Sequence, residues 1–181
     1  MRKCVLLLSI LFCGAALSTP QQASAQGVYW GAGVTIPTGD FGDYAKTGYM
    51  GVAGISFDMG PEGLSAFGEG FFGQNSHETE GDKTYPYGAM GGLLYDLAPA
   101  GAGGFYFFGQ LGLMVHKYSS DEFEGDSETG LGFGGGAGYG FPLGDTELFV
   151  EGRYMHGSFD YGDTSFFGIV GGVSLNLGGG N

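Results

Sequence analysis

Residues 130–177 read GLGFGGGAGYGFPLGDTELFVEGRYMHGSFDYGDTSFFGIVGGVSLNL. Three stretches rich in glycine and aromatics stand out, at 130–143, 146–158 and 166–177. The dipeptide Gly144-Asp145 separates the first two, and the heptapeptide FDYGDTS (159–165) separates the second pair. Within each stretch the residue type alternates with period two, the signature of a β-strand, whose successive side chains point to opposite faces. In 166–177, Phe167, Ile169, Val173, Leu175 and Leu177 share one face, opposite Ser174 and Asn176. In 146–158, Leu148, Val150 and Tyr154 oppose Glu147, Glu151 and Arg153. In 130–143 one face is all glycine (Gly132, Gly134, Gly136, Gly138, Gly140), and the other holds Leu131, Phe133, Ala137, Tyr139 and Phe141.

The pattern continues upstream. Strands are predicted at 27–37, 48–59, 65–75, 86–97 and 105–117, which makes eight in all. The gaps between them alternate. The second, fourth and sixth are short and nearly uncharged (60–64, 98–104, 144–145), with Gly and Pro to turn the chain. The first, third, fifth and seventh are TGDFGDYAKT, SHETEGDKTY, YSSDEFEGDSET and FDYGDTS, and they hold twelve of the nineteen acidic residues. Small motifs recur at matching positions: Phe67-Gly68-Glu69, Phe108-Gly109-Gln110 and Phe149-Val150-Glu151 in the third, fifth and seventh strands; Phe57-Asp58-Met59, Tyr95-Asp96-Leu97 and Leu175-Asn176-Leu177 in the second, fourth and eighth. Long loops at one end and tight turns at the other are what the hairpins of a transmembrane barrel require.

The first 25 residues read as a secretory signal. Arg2 and Lys3 form the basic start, 5–17 a short apolar core, and Ala23-Ser24-Ala25 a small-residue cleavage site. A lipoprotein signal at Cys13 is disfavoured, because bulky Phe12 precedes it and the apolar run continues past it. The core is too short to span a bilayer. Both cysteines, Cys4 and Cys13, fall in this segment, so the mature domain at 26–181 has no disulfide and no thiolate metal ligand. Without the signal, four basic residues face nineteen acids, a net charge of −15, which argues against nucleic-acid binding. Forty-one glycines suggest low complexity, but the aromatic and β-branched content argues against disorder.

A soluble, lipocalin-like barrel would be apolar inside and polar outside. Here the less apolar face of each strand offers only one or two polar groups padded by glycine, too few to coat a soluble protein but enough to fill a narrow lumen. The aliphatic and aromatic face suits lipid. Ten residues at about 3.3 Å each, tilted about 40°, cover about 25 Å, the height of an outer-membrane apolar band. Two aromatic girdles are expected: Trp30, Phe57, Tyr95, Phe105, Tyr139 and Phe141 at one interface, and Tyr49, Phe72, Tyr87, Phe133 and Tyr154 at the other.

GVYWGAGVTIPTGDFGDYAKTGY (27–49), LFVEGRYMHG (148–157) and FFGIVGGVSLNL (166–177) together resemble the small outer-membrane β-barrel proteins of the OmpA/OmpX-like, porin-family kind. The resemblance covers 27–177. It implies an all-β fold, an eight-stranded antiparallel up-and-down transmembrane β-barrel in the cell outer membrane, exported through the periplasm, inserted by the β-barrel assembly machinery, and surrounded by outer-membrane lipid and lipopolysaccharide. Such barrels usually end on an aromatic residue read by that machinery, whereas this chain ends Leu177-Gly178-Gly179-Gly180-Asn181. The peptidoglycan-binding domain that follows some of them is not expected here.

The lumen-facing polar set is Asp58, Glu69, Asp96, Gln110, Glu147, Glu151 and Arg153. Arg153 is the only arginine beyond the signal, and a buried charge needs a partner, so it is expected to bridge Glu69, Glu151 or both. With eight strands, side chains fill the interior, so this set reads as a plug in preference to an ion path. The glycine face of strand six is expected to make room for Phe67, Phe71, Phe108 and Phe149. His156-Gly157-Ser158, with Asp160 close behind, resembles part of the lipid A deacylase barrels, whose outward His, Ser and Glu cleave an acyl chain. Phe159 replaces the Asn expected after the Ser, and only Asp160 or Asp163 could stand for the Glu. His77, His116 and His156 lie at one height, but parity turns His116 inward and His156 outward, so no metal site is expected. The acidic run 121–128 lacks the EF-hand spacing and reads as a solvated loop. No cofactor is expected. The expectation is a monomeric, non-enzymatic barrel with a structural or surface-interaction role through acidic extracellular loops and an unnamed surface ligand. A lipid A-modifying hydrolase or a narrow channel is the alternative, and a soluble carrier comes last.

Overall fold

The computed structural model describes residues 27–59, 61–98, 102–120, 125, 127–160 and 162–177. Eight strands follow one another: β1 Gly27–Thr38, β2 Gly48–Asp58, β3 Leu64–Ser76, β4 Lys83–Asp96, β5 Gly104–Ser119, β6 Ser127–Leu143, β7 Thr146–Ser158 and β8 Thr164–Asn176. Each pairs antiparallel with the next. β1 closes on β8 from Gly27↔Asn176 to Thr38↔Ser165, giving a barrel in sequence order. Closure removes every sheet edge, which a spanning sheet needs because lipid offers no hydrogen bonds. Both termini of the barrel lie at the end where the short turns lie. One of these turns, Gly144-Asp145, is a two-residue hairpin between the paired Leu143 and Thr146. Gly144 has φ +67° and Asp145 does not share it, the II′ pattern that matches strand twist.

Side chains divide as the alternation predicts. On β5, Phe105 (61% exposed), Phe107, Leu111 and Leu113 face outward, while Tyr106, Phe108, Gln110 and Met114 are buried inside. On β8, Phe167 and Ile169 are outward and Phe166 and Val170 fully buried. The apolar exterior and filled interior are the inverse of a soluble protein. Aromatic rings cluster on the outside toward both ends. Phe105 meets Tyr139 at 4.9 Å and Tyr139 meets Phe141 at 4.7 Å near the short turns; Phe72 meets Tyr85 at 6.0 Å and Tyr154 meets Phe167 at 5.2 Å near the long loops.

Two expectations are corrected. β4, β5 and β6 run further into the long-loop end than read from sequence, taking in 83–85, 118–119 and 127–129. Paired strands satisfy each other's backbone groups, so the ladder continues beyond the apolar band. Secondly, the glycines of β6 accommodate Phe108 but not Phe67, Phe71 or Phe149. A Cβ on Gly136 would stand 2.8 Å from Phe108, whereas Phe67 lies over Gly92 of β4 (2.6 Å), Phe71 over Gly88 of β4 (3.0 Å) and Phe149 over Gly172 of β8. Each of these rings sits on the glycine directly opposite it in the ladder. In so narrow a lumen the room for one large side chain comes from the residue paired with it. The remaining inward β6 glycines take Tyr106 (over Gly138), Glu147 (over Gly140), Met155 (over Gly134) and Met90 (over Gly132).

Candidate functional site in the lumen

The centre of the barrel is built around one cation. Arg153 of β7 is 2% exposed and faces Glu69 of β3 and Glu151 of its own strand, both buried. Its Nη1 donates to Glu69 Oε1 at 2.5 Å and Nη2 to Glu69 Oε2 at 3.1 Å, a bidentate fork; Nε donates to Glu151 Oε1 at 2.8 Å, and Nη2 reaches that oxygen as well. Its guanidinium also lies 5.3 Å from the ring of Phe108. Two tyrosines complete the network. Tyr29 donates its hydroxyl to Glu69 Oε2 at 3.2 Å, and Tyr106 to Glu151 Oε2 at 2.8 Å. The tyrosines belong to this cluster although they were not in the polar set read from sequence. The signal that could have marked them is a Tyr at inward parity opposite a glycine: Tyr29↔Gly54 and Tyr106↔Gly138.

The other lumen residues divide by height. Below the network, two adjoining cavities of about 180 and 210 Å³ open toward the short turns and share Ser56, Ser65, Asp96, Glu147 and Ser174 in their walls. Asp58 lines the outer one. Gln110 lies on the other side, 5% exposed, donating to Met155 Sδ at 2.9 Å. Its Oε1 has no hydrogen-bond partner among the described residues. Toward the long loops, Met50, Met114, Met155, Phe166 and Val170 fill the cross-section, all 2% exposed or less.

A lid lies over that apolar layer. The first long loop forms a short 3₁₀ turn, Gly39–Asp43, which carries Phe41 into the mouth, where it is fully buried against Tyr44 (5.6 Å) and His116 (6.3 Å). An Ala45↔His77 bridge and the Lys46–Glu78 ion pair at 3.5 Å join this loop to the β3–β4 loop. Beneath it, Asn75 Nδ2 donates to Thr35 Oγ1 and to the Lys46 carbonyl, both at 2.8 Å; His77 shares a hydrogen bond with Thr84 and His116 with Thr164. Burial pushes the His77 imidazole below its ordinary pKa, partly countered by Asp82, and burial with Asp40 pushes the Tyr44 hydroxyl up. This polar tier and its lid were not legible as a site, since a loop reading GDFGDYA is acidic and carries only isolated rings.

The family model for the outer membrane protein β-barrel domain matches residues 5–176. The chain belongs to that family. It is an outer-membrane protein. Neisserial surface protein A aligns over 87% of this barrel's chain and 100% of its own, with a TM-score of 0.71 at 14% identity. Ail, the attachment invasion locus protein of Yersinia pestis, aligns over 84% and 100%, with 0.56 at 14%. Ail in complex with the heparin analogue sucrose octasulfate gives 0.57 at 12%, over the same shares. At these identities the likeness is one of fold. No curated protein matches the sequence.

The remaining candidates of this outer-membrane barrel lie on its lipid-facing side. His156 points outward, 4.8 Å from the ring of Phe133, as parity requires. Its Nε2 shares a 3.1 Å hydrogen bond with Ser158 Oγ, and its Nδ1 a 2.8 Å bond with Ser165 Oγ. The nearby acid is Asp163, 3.8 Å from Nε2; Asp160 instead gives its backbone N–H to Glu128 Oε1 at 2.5 Å. A nucleophile–base pair is therefore present, but the carboxylate approaches the nitrogen that already serves the serine. His77 and His116 point inward, so the three histidines do not share a site. The signal segment 1–25, the acids 121, 122, 124 and 126, and the tail 178–181 lie outside the described residues.

Proposed function

We propose that this outer-membrane barrel is a monomeric, non-enzymatic protein of structural and surface-interaction role, matured by removal of residues 1–25 and inserted by the β-barrel assembly machinery. Its termini lie in the periplasm, and its long acidic loops face outward. The observation that carries this reading is the closed long-loop end. Phe41, the tier beneath it and the methionine layer leave no through-passage, so the lumen serves packing and the loops are a joined platform. The lumen set Asp58, Glu69, Asp96, Gln110, Glu147, Glu151 and Arg153 is then structural. The names of two neighbours of this fold, a surface protein and an attachment invasion locus protein, fit the same role. Closure of the sheet on itself supports the monomer.

Planar-bilayer recording tests the plug: brief or no openings are expected, and a large sustained conductance would replace this reading with a channel. Antibody access to an epitope inserted after Gly39 on intact cells tests the orientation. The hydrolase reading has one observation in its favour, the His156–Ser158 hydrogen bond. Against it, Nδ1 is held by Ser165, and no carboxylate among the described residues orients it. Mass spectrometry of lipid A from expressing cells is expected to show an unchanged acyl pattern.

A further inference from the structure

Cations beyond residue 25 are few: Lys46, Lys83, Lys117 and Arg153. Arg153 is sealed in the lumen. All three lysines lie at the long-loop end, on the flank formed by β2 to β5. The Lys46 N–H donates to the Ser76 carbonyl at 2.7 Å; Ser76 faces Lys83, Lys83 faces Ser119, and Tyr85 faces Lys117.

Lys83, Tyr85 and Lys117 point outward. The ladder between β4 and β5 has no bulge, and the intervening Thr84 and Pro86 are fully buried inside. Lys83 is the diagonal neighbour of Lys117, a relation that sets Cα atoms about 7–8 Å apart. Two ammonium groups on four-carbon stems at that spacing converge on a single phosphate. The height is right as well. The outward residues of β5 run Phe105, Phe107, Leu111, Leu113, Val115 and then Lys117. From Phe105 to Val115 is about 33 Å of strand, or about 25 Å of membrane at a 40° tilt, so Lys117 is the first outward side chain past the apolar band. Tyr85 packs against Phe72 at 6.0 Å beside it.

Three carboxylates described at this end are engaged elsewhere. Glu78 pairs with Lys46, Asp82 accepts from the Tyr118 hydroxyl, and Glu128 accepts the Asp160 N–H. Among the described residues no ion pair engages Lys83 or Lys117. We propose that Lys83 and Lys117, with the Tyr85 hydroxyl between them, dock the phosphate of a membrane-lipid headgroup. In the orientation proposed above this lipid is in the outer leaflet, and that detail rests on the earlier reading. The binding test does not, because it is done in detergent, where both faces are open.

The probe is bisphosphorylated lipid A added to the folded barrel and followed by native mass spectrometry, with fully dephosphorylated lipid A in parallel. A Lys83→Gln/Lys117→Gln double variant is expected to bind the phosphorylated lipid on the order of tenfold more weakly. Lys83→Arg/Lys117→Arg is expected to keep it. Lys46→Gln, whose charge already pairs with Glu78, is expected to stay within about twofold. Sodium phosphate at equal phosphate concentration is expected not to compete. Equal binding by the double-Gln variant, equal retention of the dephosphorylated lipid, a Lys46→Gln loss as large as the double variant's, or competition by free phosphate would each overturn the assignment. The circular dichroism of each variant checks that the barrel is folded.

Discussion

The two halves of the lumen are walled by the same eight strands and use the same device, a large side chain set opposite a glycine, yet they end up opposite in character. The long-loop half is closed: Met50, Met114, Met155, Phe166 and Val170 fill it, and Phe41 covers the top. The short-turn half is open and acidic, with cavities of about 180 and 210 Å³ walled by Asp96 and Glu147. Arg153 with Glu69 and Glu151 marks the border. The difference follows from what each half can hide from water. Flexible thioethers fill an irregular tube while bringing no strongly polar group of their own into it, whereas carboxylates below the border keep solvent through the open mouth. A single arginine holding two acids allows the change from one regime to the other within one layer.

The strongest way to break this comparison is to remove its border. Arg153→Ala leaves two buried carboxylates side by side and is expected to destabilise the refolded barrel by about 3–5 kcal/mol, measured by urea unfolding in lipid. A Glu69→Gln/Glu151→Gln/Arg153→Met triple variant is expected to regain most of that loss; failure to regain it would show that the network contributes more than mutual neutralisation. Next is the lid. Phe41→Ala should cost about 3 kcal/mol of lid docking. Amide exchange should quicken at 39–47 and stay slow in β1 and β8. Uniform acceleration would mean that the lid and barrel are one cooperative unit. Third, filling a ring's gap should cost about 1–3 kcal/mol. Gly92→Val, under Phe67, and Gly136→Val, under Phe108, are the cases to measure, with Gly152→Val, whose Cβ meets nothing nearby, as the neutral control.

The smallest expected effect is a pH dependence of loop docking at the long-loop end. Burial favours the neutral His77 imidazole and lowers its pKa, so the docked loop binds a proton less readily than the released loop does. Loop docking is then strongest above about pH 6.5 and weakens as pH falls from there to the folded-state pKa, below which both forms are protonated and the dependence ends. An imidazole NMR titration of His77 with a midpoint at or above 6.5 would contradict this.

Much of the plan was legible in advance because alternation is local. Parity along β5 and β8 assigned Phe105, Leu111, Phe167 and Ile169 to the exterior and Phe108 and Met114 to the interior, and the long and short gaps fell at opposite ends. That Arg153 needed an acidic partner followed from the cost of burying a lone charge. The lid did not follow. Nothing in Gly39-Asp40-Phe41-Gly42-Asp43 distinguishes a ring that turns into a mouth from one that rests on a surface. The pairing of rings with glycines was equally hidden, since Phe67 had five glycines of β6 to choose from by composition and found Gly92 of β4 by register.

Sequence alone therefore determined which side of each strand meets lipid, where the chain turns, and which few charges must be trapped, because each depends on residues two apart or on the price of one buried ion. Tertiary structure alone decided which glycine lies under which ring, that Arg153 takes two acids and two tyrosine-braced oxygens at once, and that Phe41 closes the mouth. Those depend on the stagger between neighbouring strands and on curvature around the closed sheet, which bring together groups as far apart as Glu69 and Arg153.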